Sequence, residues 1–133
     1  MNPSSAAWPP PTSLDITLLP AGRWWDAVRV PVSFGETAFR FLGGDTGAVI
    51  KDPYCARLYW LVRPQSAVGW TIPQVTVLGK GSYIGVPPWH RRKSCGLRWL
   101  TAPDRGRHLT EPKRLHAALT TALTLHPMPE TQR

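Results

Sequence analysis

Between Trp89 and His108 the chain concentrates the side chains best suited to holding an anion. Arg91, Arg92, Lys93, Arg98, Arg105 and Arg107 stand there against a single acid, Asp104. Guanidinium forks match phosphate oxygens two at a time, and Trp89 beside them offers a flat face on which a base can stack, the combination that single-strand binders use. His90, together with Lys80 in the preceding Gly79-Lys80-Gly81 turn, completes a candidate nucleic-acid-binding set. The bland use of the same charges is a solvated loop that keeps the protein in solution.

Acid–base and metal chemistry have much less to work with. Of the eight carboxylates, Asp45, Asp52 and Asp104 adjoin Gly or Pro and read as turn residues. Asp26 differs, because it falls inside a strand pattern, where a carboxylate is at the sheet surface, paired with a base such as an Arg, or part of a site. The four histidines form no HxxxH, HxH or HExxH spacing, and His116 and His126 belong to the last helix and its end. Cys55 and Cys95 share no CxxC and are expected as reduced thiols, so neither a metal site nor a cofactor is implied. The GKG at Gly79 to Gly81 is too short for a phosphate loop and reads as a tight hairpin turn.

The elements that must position these groups follow from periodicity. Residues Trp24 to Val30 alternate, with Trp25, Ala27 and Arg29 on one face and Trp24, Asp26, Val28 and Val30 on the other, which predicts a strand. Pro31 suits the first position of a helix, Phe34, Ala38, Phe39, Phe41 and Leu42 give that helix an apolar stripe, and Gly43-Gly44 ends it. Ala48-Val49-Ile50 is a strand with a turn at Asp52-Pro53, and Leu58 to Val62, apolar on both faces, is placed centrally in the sheet. Val75 to Leu78 and Ser82 to Val86 are expected to pair as a hairpin in the same mixed sheet as Asp26; Pro87-Pro88 stops the second, and Leu97 to Leu100 returns as a further strand. Thr110 as N-cap and Pro112 open a final helix with Leu115, Leu119, Ala122 and Leu123 on its apolar face. The expected class is α+β, a mixed and mostly antiparallel sheet with two helices packed on one face.

At 133 residues the chain makes one domain, placed at 14–126, with a Pro-rich flexible arm at 1–13 carrying Trp8 and a tail at 127–133. The 15 Pro and 11 Gly favour short strands and many turns over a helical bundle. Lys and Arg total 16 against 8 Asp and Glu, a formal charge of +8, so the expected partner is a polyanion. The N-terminus shows no secretory pattern and no apolar run reaches the ~20 residues of a membrane span, which points to the cytoplasm and to no membrane partner.

At LGKGSYIGVPP, followed by a basic loop and GLRWL, the sequence resembles the N-terminal domain of bifunctional DNA primase/polymerases, of the archaeo-eukaryotic primase type. The residues that carry the likeness are Gly81, Ser82, Tyr83, Ile84, Val86, Pro87 and Pro88, then Gly96 and Trp99. WDAVRVP looks like the family's acid-bearing strand, AVIKDPYCARLYWLV like its strand-turn-strand, and together with RWL-x-x-P-D they are similar to short actinobacterial proteins of primase/polymerase-like type. The likeness spans about Leu18 to Leu123. It implies a primase/polymerase-like fold with a degenerate centre. The family's paired acids are reduced to Asp26, followed by Ala27 and Val28; Arg57 and Leu58 stand where its histidine is expected, and Thr76 where its later acid is. One carboxylate cannot assemble a two-metal phosphoryl-transfer site, so Asp26 is a vestigial candidate and active nucleotidyl transfer is not expected.

Two functions therefore stand against each other. One is a non-catalytic domain binding nucleic acid, single-stranded or duplex DNA, or a nucleotide, as an accessory to replication, plasmid maintenance or regulation. The other is a protein-interaction module with Trp8, Trp70 and Trp89 as aromatic anchors.

Overall fold

The structure, a computed structural model, describes residues 15–88, 91, 96–103 and 108–125. It is α+β in three layers. A five-stranded sheet forms the middle, in the order β5-β2-β4-β3-β7, with β2 Asp26–Pro31, β3 Val49–Asp52, β4 Arg57–Val62, β5 Thr76–Leu78 and β7 Arg98–Thr101. Every pairing in it is antiparallel. Helices α1, Val32–Leu42, and α2, Pro112–Leu125, pack on one face. A separate two-stranded ribbon, β1 Thr17–Pro20 with β6 Tyr83–Val86, contributes to the core on the other face.

Alternation along β2 builds both cores. Val28 and Val30 join Leu58, Trp60 and Val62 of β4 under the two helices, while Trp25 and Ala27 meet Leu61, Ile50, Trp99, Ile84 and Val86 on the ribbon side. Both faces of β4 are thus covered, and Leu58, Trp60, Leu61 and Val62 are fully buried, as a central strand with apolar residues on both faces requires.

Four sequence expectations change. The segments 75–78 and 82–86 are not a hairpin: β5 pairs with β2, whereas β6 leaves the sheet and pairs with β1. The turn at Gly79 to Gly81 redirects the chain between layers, with the Ser82 amide donating to Gly79 O and the Ala21 amide to Ser82 O. Pro31 precedes the helix as its cap residue in an extended conformation, and the Val32 amide donates across to Ala56 O. Thr110 does not cap α2; its hydroxyl accepts from the Gly47 amide at 2.8 Å instead. Trp24 falls in the turn before β2, escapes the alternation, and packs toward the ribbon core with Arg23 4.5 Å over its ring. Gly43 does end α1, at φ 55°, its amide donating to Phe39 O.

Candidate functional site

Asp26 opens β2 and is 3% exposed. No arginine among the described residues pairs with it: Oδ2 accepts the Gln65 amide at 2.8 Å, and Oδ1 is buried with no hydrogen-bond partner. Gln65 makes this bond from a left-handed backbone, φ 64°, a conformation that costs a non-glycine residue about 1 kcal/mol or more. An orphaned buried acceptor costs about 1–3 kcal/mol and is uncommon in a well-packed domain. The carboxylate therefore stands at a place where structure has been given up.

That place is a cleft of ≈ 590 Å³, lined by Asp26, Gln65, Ala67, Trp70, Val75, Val77, Gly79 and Lys80 among others. Its size falls in the usual range for small-molecule sites. Trp70 is half-buried, forms part of the wall, and is set edge-on to His116 at 5.0 Å. Gly22, at φ 92°, lets the chain pass so close to Lys80 that a Cβ there would lie 2.8 Å from its backbone. The backbone carrying Lys80 is fixed by this contact, while its side chain is exposed and forms no ion pair with any described residue.

Arg91 and Arg98 lie elsewhere. Trp89, His90, Arg92, Lys93, Arg105 and Arg107 fall outside the described residues, as do Trp8, Cys95 and Asp104. Arg91 is half-buried, its amide donating to Pro88 O and its carbonyl accepting from the Trp99 amide at 2.9 Å. Gly96 approaches the Tyr54 ring in the β3–β4 turn, a Cβ there falling 3.4 Å from the Tyr54 hydroxyl. Arg91 and Gly96 thus both lie toward the end of the sheet that carries the β3–β4 turn. Arg98, opposite Lys51 on edge strand β7, points to the helix side, because its neighbour Trp99 belongs to the ribbon-side core. Lys80 is at the Asp26 end, so β2, six residues or roughly 17–20 Å long, separates it from the β3–β4 turn end. Of the three described members of the sequence-predicted set, Lys80 therefore stands apart from Arg91 and Arg98.

At the turn end a group appears that sequence reasoning did not single out. Arg29 of β2 lies directly opposite Tyr59 of β4, and Arg57 is two residues from Tyr59 on the same strand, so all three share the ribbon-side face. The row continues through Ile50 and Trp99 to the backbone of Arg91. Arg29, Tyr59 and Arg57 are each only half-buried. The acid facing Arg57 in register, Asp52, is engaged by the Tyr54 and Cys55 amides, while Arg57 donates to the Cys55 and Ala56 carbonyls. The signal was in the alternation of both strands, which puts Arg29 and Tyr59 on like faces once β2 and β4 are known to pair; only the pairing was missing.

Among the described residues no group of three His, Cys, Asp or Glu could hold a metal ion, and no helix is long and apolar enough to cross a membrane. Comparison with protein-family models, with curated proteins and with solved structures returns no match.

Proposed function

We propose that this protein is a non-catalytic nucleic-acid-binding domain of primase/polymerase-like descent. A strand contacts the half-buried Arg29, Tyr59 and Arg57 on the part of the ribbon-side face nearest the β3–β4 turn, beside the ribbon that covers Ile50 and Trp99. The observation that carries this reading is the row Arg29–Tyr59, with Arg57 beside it, at the sheet end toward which Arg91 and Gly96 also lie. Two cations and an aromatic on one face supply phosphate contacts and a stacking surface together. The excess of 16 basic over 8 acidic side chains adds long-range attraction to the same partner.

The test is a salt titration by fluorescence anisotropy with single-stranded and duplex probes. Removing both Arg29 and Arg57 (to Ala) should flatten the slope of log K against log salt by about 1.4 on single strands, ~0.7 for each phosphate no longer neutralised. Changing Arg91, Arg92 and Lys93 to Ala together should flatten it by about two units. Tyr59→Leu should weaken single-strand binding by roughly 1–3 kcal/mol while leaving the slope nearly unchanged. No binding of wild type to either probe at about 50 mM salt, where phosphate contacts are strongest, would sink the reading. The protein-interaction alternative would then lead, although Trp70, one of its anchors, is half-buried in the cleft wall.

Catalysis is expected to be absent. Given template, primer, nucleotides and Mg²⁺ or Mn²⁺, the protein should extend nothing, because among the described residues Asp26 belongs to no group of three potential metal ligands. Extension by wild type that disappears in Asp26→Asn would overturn this.

A further inference from the structure

The Asp26 cleft is at the opposite end of the sheet from the proposed nucleic-acid face and calls for its own ligand. We infer that it binds a small zwitterion, an amino or guanidino acid, whose cationic nitrogen seats on Asp26 Oδ1 and whose carboxylate meets Lys80.

Four observations lead there. First, Oδ1 is a buried acceptor with no partner, although Oδ2 of the same carboxylate is held at 2.8 Å by the Gln65 amide. A carboxylate is acceptor-only, so what is missing is a donor. The apolar surroundings of Ala67, Val75 and Val77 favour a donor that also brings a positive charge, since a buried charge is tolerated when it is paired. Second, no cation among the described residues supplies it: Lys80 lines the same cleft and forms no ion pair with Asp26. Lys80 is left to meet an anionic group, which is why a simple cation fits the cleft less well than a zwitterion. Third, Gly79 carries no side chain where one would cover the carboxylate. A Cβ there would lie 3.4 Å from Oδ2 and 3.5 Å from Oδ1, which is ordinary contact rather than a clash, and this glycine's backbone is not in the left-handed region. Folding does not demand glycine at 79, and a Cβ there would rest against both carboxylate oxygens. Fourth, the half-buried Trp70 puts an aromatic ring in the wall, a group with which a guanidinium or ammonium interacts favourably.

The experiment is isothermal titration of the full chain with arginine, with citrulline, which replaces the guanidinium by a neutral urea, and with agmatine, which lacks the carboxylate. Wild type should bind arginine and discriminate against citrulline by about 30-fold or more, the usual penalty for removing one member of a buried charge pair. Asp26→Asn keeps an oxygen for the Gln65 amide, so it should fold, and it should lose that discrimination. Gly79→Ala should abolish arginine binding with its melting temperature unchanged. Agmatine should bind several-fold more weakly than arginine to wild type and equally to Lys80→Ala. Neither Asp26→Asn nor Gly79→Ala should alter the salt-dependent binding of oligonucleotides, which separates this proposal from the preceding one. Equal affinity for arginine and citrulline, full arginine binding by Gly79→Ala, or binding of a nucleoside monophosphate in place of arginine would each overturn it.

Discussion

Trp60→Ala should lower the melting temperature by about 10–25 °C, the largest effect expected of any single substitution in this chain. Trp60 lies at the centre of β4, fully buried between β2 and β3 and under both helices. It shares one apolar cluster with its register partners Val28 and Val49 and with Leu115 and Leu119 of α2. Truncation forfeits that burial and leaves a cavity the surrounding layers cannot collapse into, a cost of roughly 3–5 kcal/mol. It also removes the indole N–H that donates to Thr46 Oγ1 at 3.1 Å. Against a total stability of about 5–15 kcal/mol, most of the margin goes. Thermal unfolding followed by circular dichroism measures it, with Tyr54→Ala, 81% exposed, as the control expected to stay within about 0.5 kcal/mol of wild type. A Trp60→Ala protein that melts with the control would mean the helices do not rest on β4.

The second large effect is expected at Gly47. A Cβ there would lie 2.7 Å from the Leu109 carbonyl carbon and 2.9 Å from the His108 and Leu109 oxygens. All three are backbone atoms, so no side chain can swing aside. The same few residues are stitched by three bonds: Gly47 amide to Thr110 Oγ1 at 2.8 Å, Ala48 amide to His108 O at 2.9 Å, and Thr110 amide to Leu61 O at 2.9 Å. Gly47→Ala must push the entry to α2 away from β4, straining these bonds; overpacking of this kind costs about 1–3 kcal/mol and the stitched bonds add to it. Gly44→Ala, which meets nothing within 4 Å, should be close to neutral in the same denaturant titration. Equal midpoints for the two variants would show that the 108–110 segment is not held as described.

Much of the fold was legible because the signals were local. The period of two through Asp26 to Val30, the double-faced Leu58 to Val62 and the Pro and Gly punctuation gave β2, β4 and both helices, and a run apolar on both faces had to lie centrally. Strand partnership was not legible. A Gly-Lys-Gly between two apolar runs reads as a hairpin, yet Gly22 lets the chain approach Lys80 closely enough to carry β6 into another layer. Asp26 could be recognised as an odd carboxylate, but not its half-satisfied state, since Gln65 is 39 positions away. The Arg29–Tyr59 pair stayed hidden for the same reason, as each residue looks ordinary until β2 and β4 are laid side by side.

The β1–β6 ribbon has a consequence for the order in which the molecule can come into being. Thr17 to Pro20 find their partners only at Tyr83 to Val86. At about 5–20 residues per second of synthesis, β1 leaves the ribosome several seconds before its complement exists. Throughout that interval Leu19 and Trp25, which belong to the ribbon-side core, have no Ile84 or Val86 to pack against. The helix-side layer can begin from neighbours closer in sequence, β2 with α1 and β3 with β4, at a smaller entropic cost, and is completed when Leu115 and Leu119 of α2 arrive. A nascent chain halted before residue 83 would therefore present an apolar sheet face to the cell, and the chain's most distant strand pairing is also the one that hides it.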